Sequence, residues 1–245
     1  DPYLIGVAQG AALGAVAGFI LPWTFGGNYL IPIMAFCGAA VAVLVVYLIA
    51  RVGKTLPMTT LILAGVAIGS LLMSITAYLT MISANKVHGI LSWLMGNFSS
   101  SNWDQLGLIT PYIVVGLVVI FIFARPLNVM QLDEEQAQQL GINVERTKLI
   151  LLGAATLITG AAVCFVGTIG FVGIIVPHTV RLIWGPDHRL LLPLSAITGA
   201  ILLILADTAS RTLMSPSEIP VGVITAFIGA PFFLFLLRRT KKAVF

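Results

Sequence analysis

The sequence predicts an all-α polytopic membrane protein, folded as one transmembrane bundle over residues 1–245. Three observations carry this prediction. Of the 245 residues, 59% are hydrophobic and 9% are charged, whereas a soluble domain carries about 25% charged residues. The mean hydropathy is +1.06. Eight stretches, 3–22, 29–50, 57–82, 106–124, 148–167, 169–184, 190–210 and 219–237, approach the ~20 apolar residues that cross a bilayer, which leaves no length for a soluble domain.

The first span sets Gly6, Gly10, Gly14 and Gly18 at i+4 steps; this strips one helix face of side chains and permits close approach of a neighbouring backbone. The second carries Cys37 and the fifth Cys164, each inside an apolar run and so read as a small core residue rather than half of a disulfide or metal pair. "GVAIG" at 65–69 repeats the glycine spacing in the third span. The stretch 83–104 is polar and amphipathic, which predicts a short external helix near 88–96 with Trp93 and Trp103 at the membrane interface. The sixth span is irregular, with Gly167, Gly170, Gly173 and Pro177 in close succession. Such residues are costly within a helix and are tolerated in membranes where neighbours or a water-filled path satisfy the freed backbone. A kinked packing helix and a helix beside a moving pathway both fit. The seventh span places Asp207 four residues before Arg211 at its outer end, the favourable order for an i,i+4 pair, and Glu218 follows across a short loop.

Charge sets the orientation. With alternating spans and a cytoplasmic C-terminus, Arg51, Lys54, Arg125, Arg146, Lys148, Arg181, Arg189, Arg238, Arg239, Lys241 and Lys242 fall on the cytoplasmic side, and Lys86 and Arg211 fall outside. This is the positive-inside pattern of a multi-pass protein of the cell membrane, inner or plasma. The net charge of +4 is spread over short loops rather than gathered into a patch with aromatics, which argues against nucleic acid as a partner.

No stretch is built for catalysis. "VGKT" at 52–55 lacks the glycine that a phosphate-binding loop places five residues earlier, where Leu48 stands inside a span. No metal-ligand cluster or nucleophile motif appears. His178 and Arg181 could serve a proton relay, or could snorkel to the interface; a relay would need deeper acids, and Asp207 is the one acid within a span.

One stretch departs from this apolar background. "QLDEEQAQQLGINVERTK" at 131–148 holds four of the nine acids. Strong helix formers run from Asp133 to Leu140, with the acids Asp133, Glu134 and Glu135 at the N-terminal end that the helix dipole favours and Gly141 where a helix would stop. Leu132, Ala137 and Leu140 could form a narrow apolar stripe. Either a solvated loop helix or a docking surface for a soluble cytoplasmic partner explains the segment.

"GFVGIIVPHTVRLIWGPDHRLLLPLSAITGAILLILADTASRTL" followed by "EIPVGVITAFIGAPFFLFLLRR" closely resembles the permease subunits of ATP-driven importers for iron–siderophore complexes, haem and cobalamin, the FecCD/BtuC-type family. "DPYLIGVAQGAALGA", "LILAGVAIG" and "WLMGNFSSSNWDQ" match the same family upstream. The resemblance implies a BtuC-like bundle of ten spans, of which eight are present, the chain beginning where the family's third span begins. It implies a homodimer resting on two cytoplasmic ATP-binding cassettes, which bind the ATP and Mg, and fed by an external substrate-binding protein. This chain would then be no enzyme and would need no cofactor of its own. By the same resemblance, 131–148 is the cytoplasmic coupling segment, with Leu132, Asp133, Glu134, Glu135, Gln139, Leu140 and Gly141 facing the cassette. Arg211 corresponds to the family's basic residue that meets carboxylates of the binding protein, with Glu218 beside it. Gly170, Gly173 and Pro177 remain candidates for a pathway or hinge. The expected cargo is a metal chelate, foremost a ferric siderophore, with cobalamin or haem as alternatives. A channel or secondary transporter driven by an ion gradient is the reading from another class, and it would want ionisable residues or broken helices near mid-membrane.

Overall fold

Within a bilayer the backbone must satisfy its own hydrogen bonds, and a chain this apolar meets that demand with helices. The computed structural model describes residues 5–21, 29–53, 55–131, 133–214 and 217–241. Among them run eleven α-helices: α1 Val7–Ile20, α2 Leu30–Ala50, α3 Met58–Ile82, α4 Val87–Leu94, α5 Trp103–Ile122, α6 Ala124–Met130, α7 Glu134–Gln139, α8 Val144–Val166, α9 Val172–Trp184, α10 His188–Thr212 and α11 Val221–Lys241. All eight apolar stretches are helical, but the expectation of eight full spans needs correction. Five helices, α2, α3, α5, α8 and α10, are long and apolar enough to cross a membrane, while α1, α9 and the apolar part of α11, Val221–Leu234, are shorter. The sixth span is the clearest case. Residues 167–171 lie outside any helix, with Gly167 at φ +74° and Phe171 at φ +68°. The glycine-rich half expected at the start of that span therefore forms the break before α9.

The core is built where α1 crosses α2. A Cβ on Gly10 would stand 2.5 Å from the Gly38 carbonyl oxygen, and one on Gly14 would overlap the Met34 carbonyl. The glycine stripe of α1 thus brings two backbones into contact. Val7, Ala11 and Ala15 of α1 pack with Ala35, Ala39 and Val43 of α2 and with Leu152, Val163 and Cys164 of α8. A second cluster joins Val176 and Val180 of α9 to Leu191 of α10, and a third joins Ala206 of α10 to Val221 and Ile224 of α11. Outward faces stay apolar: Leu63, Met81 and Ile122 are 70%, 81% and 67% exposed. Such a surface suits lipid and would be a liability in water.

The connections gather at two ends. At one, the turn after α2 is closed by reciprocal backbone bonds between Val52 and Thr55 of 3.0 and 3.1 Å. This end also holds α6, α7 and the α9–α10 turn. At the opposite end, Lys86 Nζ donates to the Phe19 carbonyl at 2.5 Å, and Ser99 donates to Glu218. There α4 is the short helix expected near 88–96. Trp93 packs half-buried against the α1–α2–α8 core, whereas Trp103 is 85% exposed.

Candidate functional site

The corner α6–α7–α8 is assembled from local signals. Asp133 caps α7, its side chain accepting from the Glu135 N–H at 3.3 Å. At the other end Gly141, at φ +83°, supplies the left-handed turn. The Gly141 N–H bonds the Gln138 carbonyl at 2.9 Å and the Ile142 N–H bonds the Ala137 carbonyl at 3.0 Å, the paired pattern of a Schellman stop. Asn143 then caps α8 by accepting from the Arg146 N–H at 3.1 Å.

Within α7, Ala137 is fully buried, and Glu134, Glu135, Gln136, Gln138 and Gln139 are exposed. Leu140 beyond it is 72% exposed. The apolar stripe expected of Leu132, Ala137 and Leu140 is therefore split: Ala137 anchors the helix inward, Leu140 projects outward, and Leu132 lies outside the described residues. Asp133, Glu135, Gln139, Leu140 and Gly141 form one exposed surface, the arrangement a protein partner could grip. Glu134 is half committed inward, because its Oε2 lies 2.7 Å from Lys148 Nζ.

Two polar junctions hold this corner, and the sequence reading found neither. Lys148, counted there as a loop charge, is 5% exposed. Its ammonium also reaches Glu145 Oε1 at 3.5 Å and the Leu56 carbonyl at 3.3 Å, while Glu145 Oε2 accepts from the Leu56 N–H at 2.7 Å. The signal was the i,i+3 spacing of Glu145 and Lys148 where the fifth span begins. The second junction links α6 to the α9–α10 turn. Asn128 Nδ2 donates to Asp187 Oδ1 at 2.6 Å, and Asn128 Oδ1 accepts from the His188 N–H at 2.8 Å. Asp187 also caps α10, accepting from the Arg189 N–H at 3.0 Å. That backbone bond, with help from Asn128, holds its carboxyl below the usual carboxylate range. No short-range pattern joins Asn128 to a residue 59 positions away.

At the opposite end Arg211 Nε meets Asp207 Oδ2 at 2.9 Å, with the Arg211 side chain 43% exposed. Glu218 is exposed and accepts from Ser99. Arg211 thus has an internal partner and a free surface as well. Gly170 lies in the break before α9, while Gly173 and Pro177 are inside α9. The break is pinned rather than loose: the Thr168 hydroxyl donates to the Leu94 carbonyl at 2.5 Å, and the Asn97 N–H donates to the Val166 carbonyl at 2.9 Å. Phe171 in the left-handed region stores strain of about 1–2 kcal/mol for a residue with a Cβ. Among the described residues no three His, Cys, Asp or Glu side chains gather to hold a metal.

Comparison with known proteins places this architecture. The family model described as the FecCD transport family matches residues 1–239. A cobalamin import system permease protein from Halobacterium salinarum is 48% identical over 240 residues, which cover 97% of this chain and 63% of that protein. An Fe(3+)-citrate import system permease protein from Bacillus subtilis is 38% identical over 238 residues, 97% of this chain and 71% of that protein. Among solved structures, a metal-chelate type ABC transporter in an inward-facing conformation superposes with a TM-score of 0.87 at 30% identity, covering 98% of this chain and 76% of that one. The chain therefore spans about two thirds to three quarters of the length of these relatives.

Proposed function

The chain belongs to the FecCD transport family, and from that premise we propose that it is the permease subunit of an ATP-driven importer of a metal chelate. The observation that carries the proposal is the family match, which runs over residues 1–239 rather than over one motif. In this reading two copies form a pathway, cytoplasmic cassettes bind and hydrolyse ATP, and an external binding protein delivers the chelate. The C-terminus is cytoplasmic. The exposed surface of α7, Asp133 to Gly141, is the cassette contact; its support is a polar, well-capped helix projecting from an apolar bundle. Arg211, with Glu218 nearby, docks acidic groups of the binding protein, and the break and helix at Gly170, Gly173 and Pro177 border the pathway.

A ferric siderophore is the cargo the sequence resemblance puts first. Cobalamin is a second reading, favoured by the 48% identity with the halobacterial cobalamin permease. An apolar pathway makes few cargo-specific contacts, so the binding protein selects the cargo. Uptake of a labelled panel of ferric siderophores, haem and cobalamin by proteoliposomes holding the permease, cassette and binding protein tests the proposal. Saturable, ATP-dependent uptake of one panel member is expected. Uptake of none, or uptake that needs an ion gradient and not ATP, would overturn it.

A further inference from the structure

A lysine ammonium inside a protein is costly unless it is paired and fully hydrogen-bonded. The side chain of Lys148 is 3% exposed, whereas that of its partner Glu134 is 47% exposed. The partners of Lys148 come from three elements. Glu134 Oε2, in the first turn of α7, lies at 2.7 Å. Glu145 Oε1, one turn back on α8, lies at 3.5 Å. The Leu56 carbonyl, on the approach to α3, lies at 3.3 Å. Glu145 closes the cluster by accepting the Leu56 N–H at 2.7 Å. One cation therefore joins the short exposed helix to the turn between α2 and α3.

The covalent route from α7 into α8 has one open turn. It runs through residues 140–143, where Gly141 sits in a left-handed turn with nothing within 4 Å of its Cβ position. Ala137 is the sole buried residue of α7. A push on α7 could swing it about this turn unless something else holds it.

We propose that Lys148 is a positioning residue for energy coupling: its bond to Glu134 clamps α7 to the α2–α3 turn, so that a displacement of α7 by a cytoplasmic partner is delivered to α3. The inference rests on the reading of α7 as the cassette contact. The outer half of the clamp is accessible to a partner's surface, the Glu134 side chain being 47% exposed.

The test uses the whole complex in proteoliposomes and compares wild type with Lys148→Met, which keeps length without charge, and Lys148→Gln, a shorter uncharged amide; both remove the ion pair with Glu134. The quantity read is cyanocobalamin or ferric siderophore, whichever wild type carries, moved per ATP hydrolysed. Couplings between sites typically amount to about 5–150-fold, so transport per ATP should fall about fivefold or more in both variants. Cassette affinity should stay within about twofold, as for a change away from the contact, and Lys148→Arg should recover part of the ratio. A purely structural role would lower yield, transport and hydrolysis together and leave the ratio at the wild-type value, which overturns the proposal. If Lys148→Met does not fold, Lys148→Gln alone carries the same two outcomes. The underlying reading fails separately: Leu140→Asp would then bind cassette as wild type does, whereas a weakened Leu140→Asp beside an unchanged ratio in Lys148→Gln and Lys148→Met sinks the clamp alone.

Discussion

Replacing Leu140 with Asp separates docking from folding. Leu140 is 72% exposed and follows the last residue of α7. Its backbone N–H bonds the Gln136 carbonyl at 3.1 Å, a bond that any residue but proline can make. The isolated permease should therefore lose no more than about 0.5 kcal/mol, as for other surface substitutions. In a complex the balance differs. Burying a leucine side chain contributes about 1.5–3 kcal/mol, and a carboxylate in its place would be desolvated without a partner. Loss of the apolar term alone weakens cassette binding by about 10- to 150-fold, at 1.4 kcal/mol per tenfold. The assay is titration of purified cassette against permease in nanodiscs, with the melting temperature of each permease as control. Wild-type affinity in a variant with an unchanged melting temperature would refute the assignment of α7 as the contact. A large drop in melting temperature would refute the claim that Leu140 faces outward.

Other substitutions test the rest of the molecule. Gly14→Leu should destabilise by more than the about 1–3 kcal/mol of ordinary overpacking, because its side chain meets the Met34 backbone; Gly153→Ala, with nothing within 4 Å, should melt at or above the wild-type temperature. Gly141→Ala should cost about 1–2 kcal/mol through its left-handed conformation and Gly141→Asn less, read as thermal shifts; equal melting of all three would contradict the Schellman turn. Arg211→Ala should weaken binding-protein docking by about 0.2–1 kcal/mol, the usual worth of an exposed pair, with Arg211→Glu weakening it further through like-charge repulsion. High salt should mimic the alanine variant, since the Debye length falls to about 3 Å at 1 M; affinity indifferent to both leaves Arg211 as the partner of Asp207 only.

Most of the fold was legible because lipid imposes one rule on every span. Apolar runs long enough to cross a bilayer became helices, and the glycine stripe of α1 became the tightest crossing in the core. Helix lengths were less legible. The sequence shows that glycines and a proline crowd residues 167–177, but which of them leave the helix is decided by contacts of Thr168 and Asn97 with α4 and α8. The polar segment was legible as a capped helix through Asp133 and Gly141. Its internal wiring was not, since the bonds from Lys148 to Leu56 and from Asn128 to Asp187 span 92 and 59 positions. Leu140 and Ala137 looked alike in sequence; the tertiary position of α7 against the bundle sent one outward and one inward.

The source of energy decides the matter most directly. Phosphoryl transfer needs a phosphate cradle, a bound metal and a group that positions the attacking nucleophile; here "VGKT" lacks the preceding glycine of such a cradle, and the acids at 133–135 border no glycine-rich loop. The decisive measurement is ATP turnover and chelate uptake by the permease reconstituted with and without its cassette, each freed of copurifying proteins. The permease alone should hydrolyse no ATP, and adding cassette and binding protein should produce hydrolysis and inward transport together. Turnover by the permease alone at about 1 per second or faster, within the range of true enzymes, or uptake that persists without cassette and ATP, would contradict the importer reading.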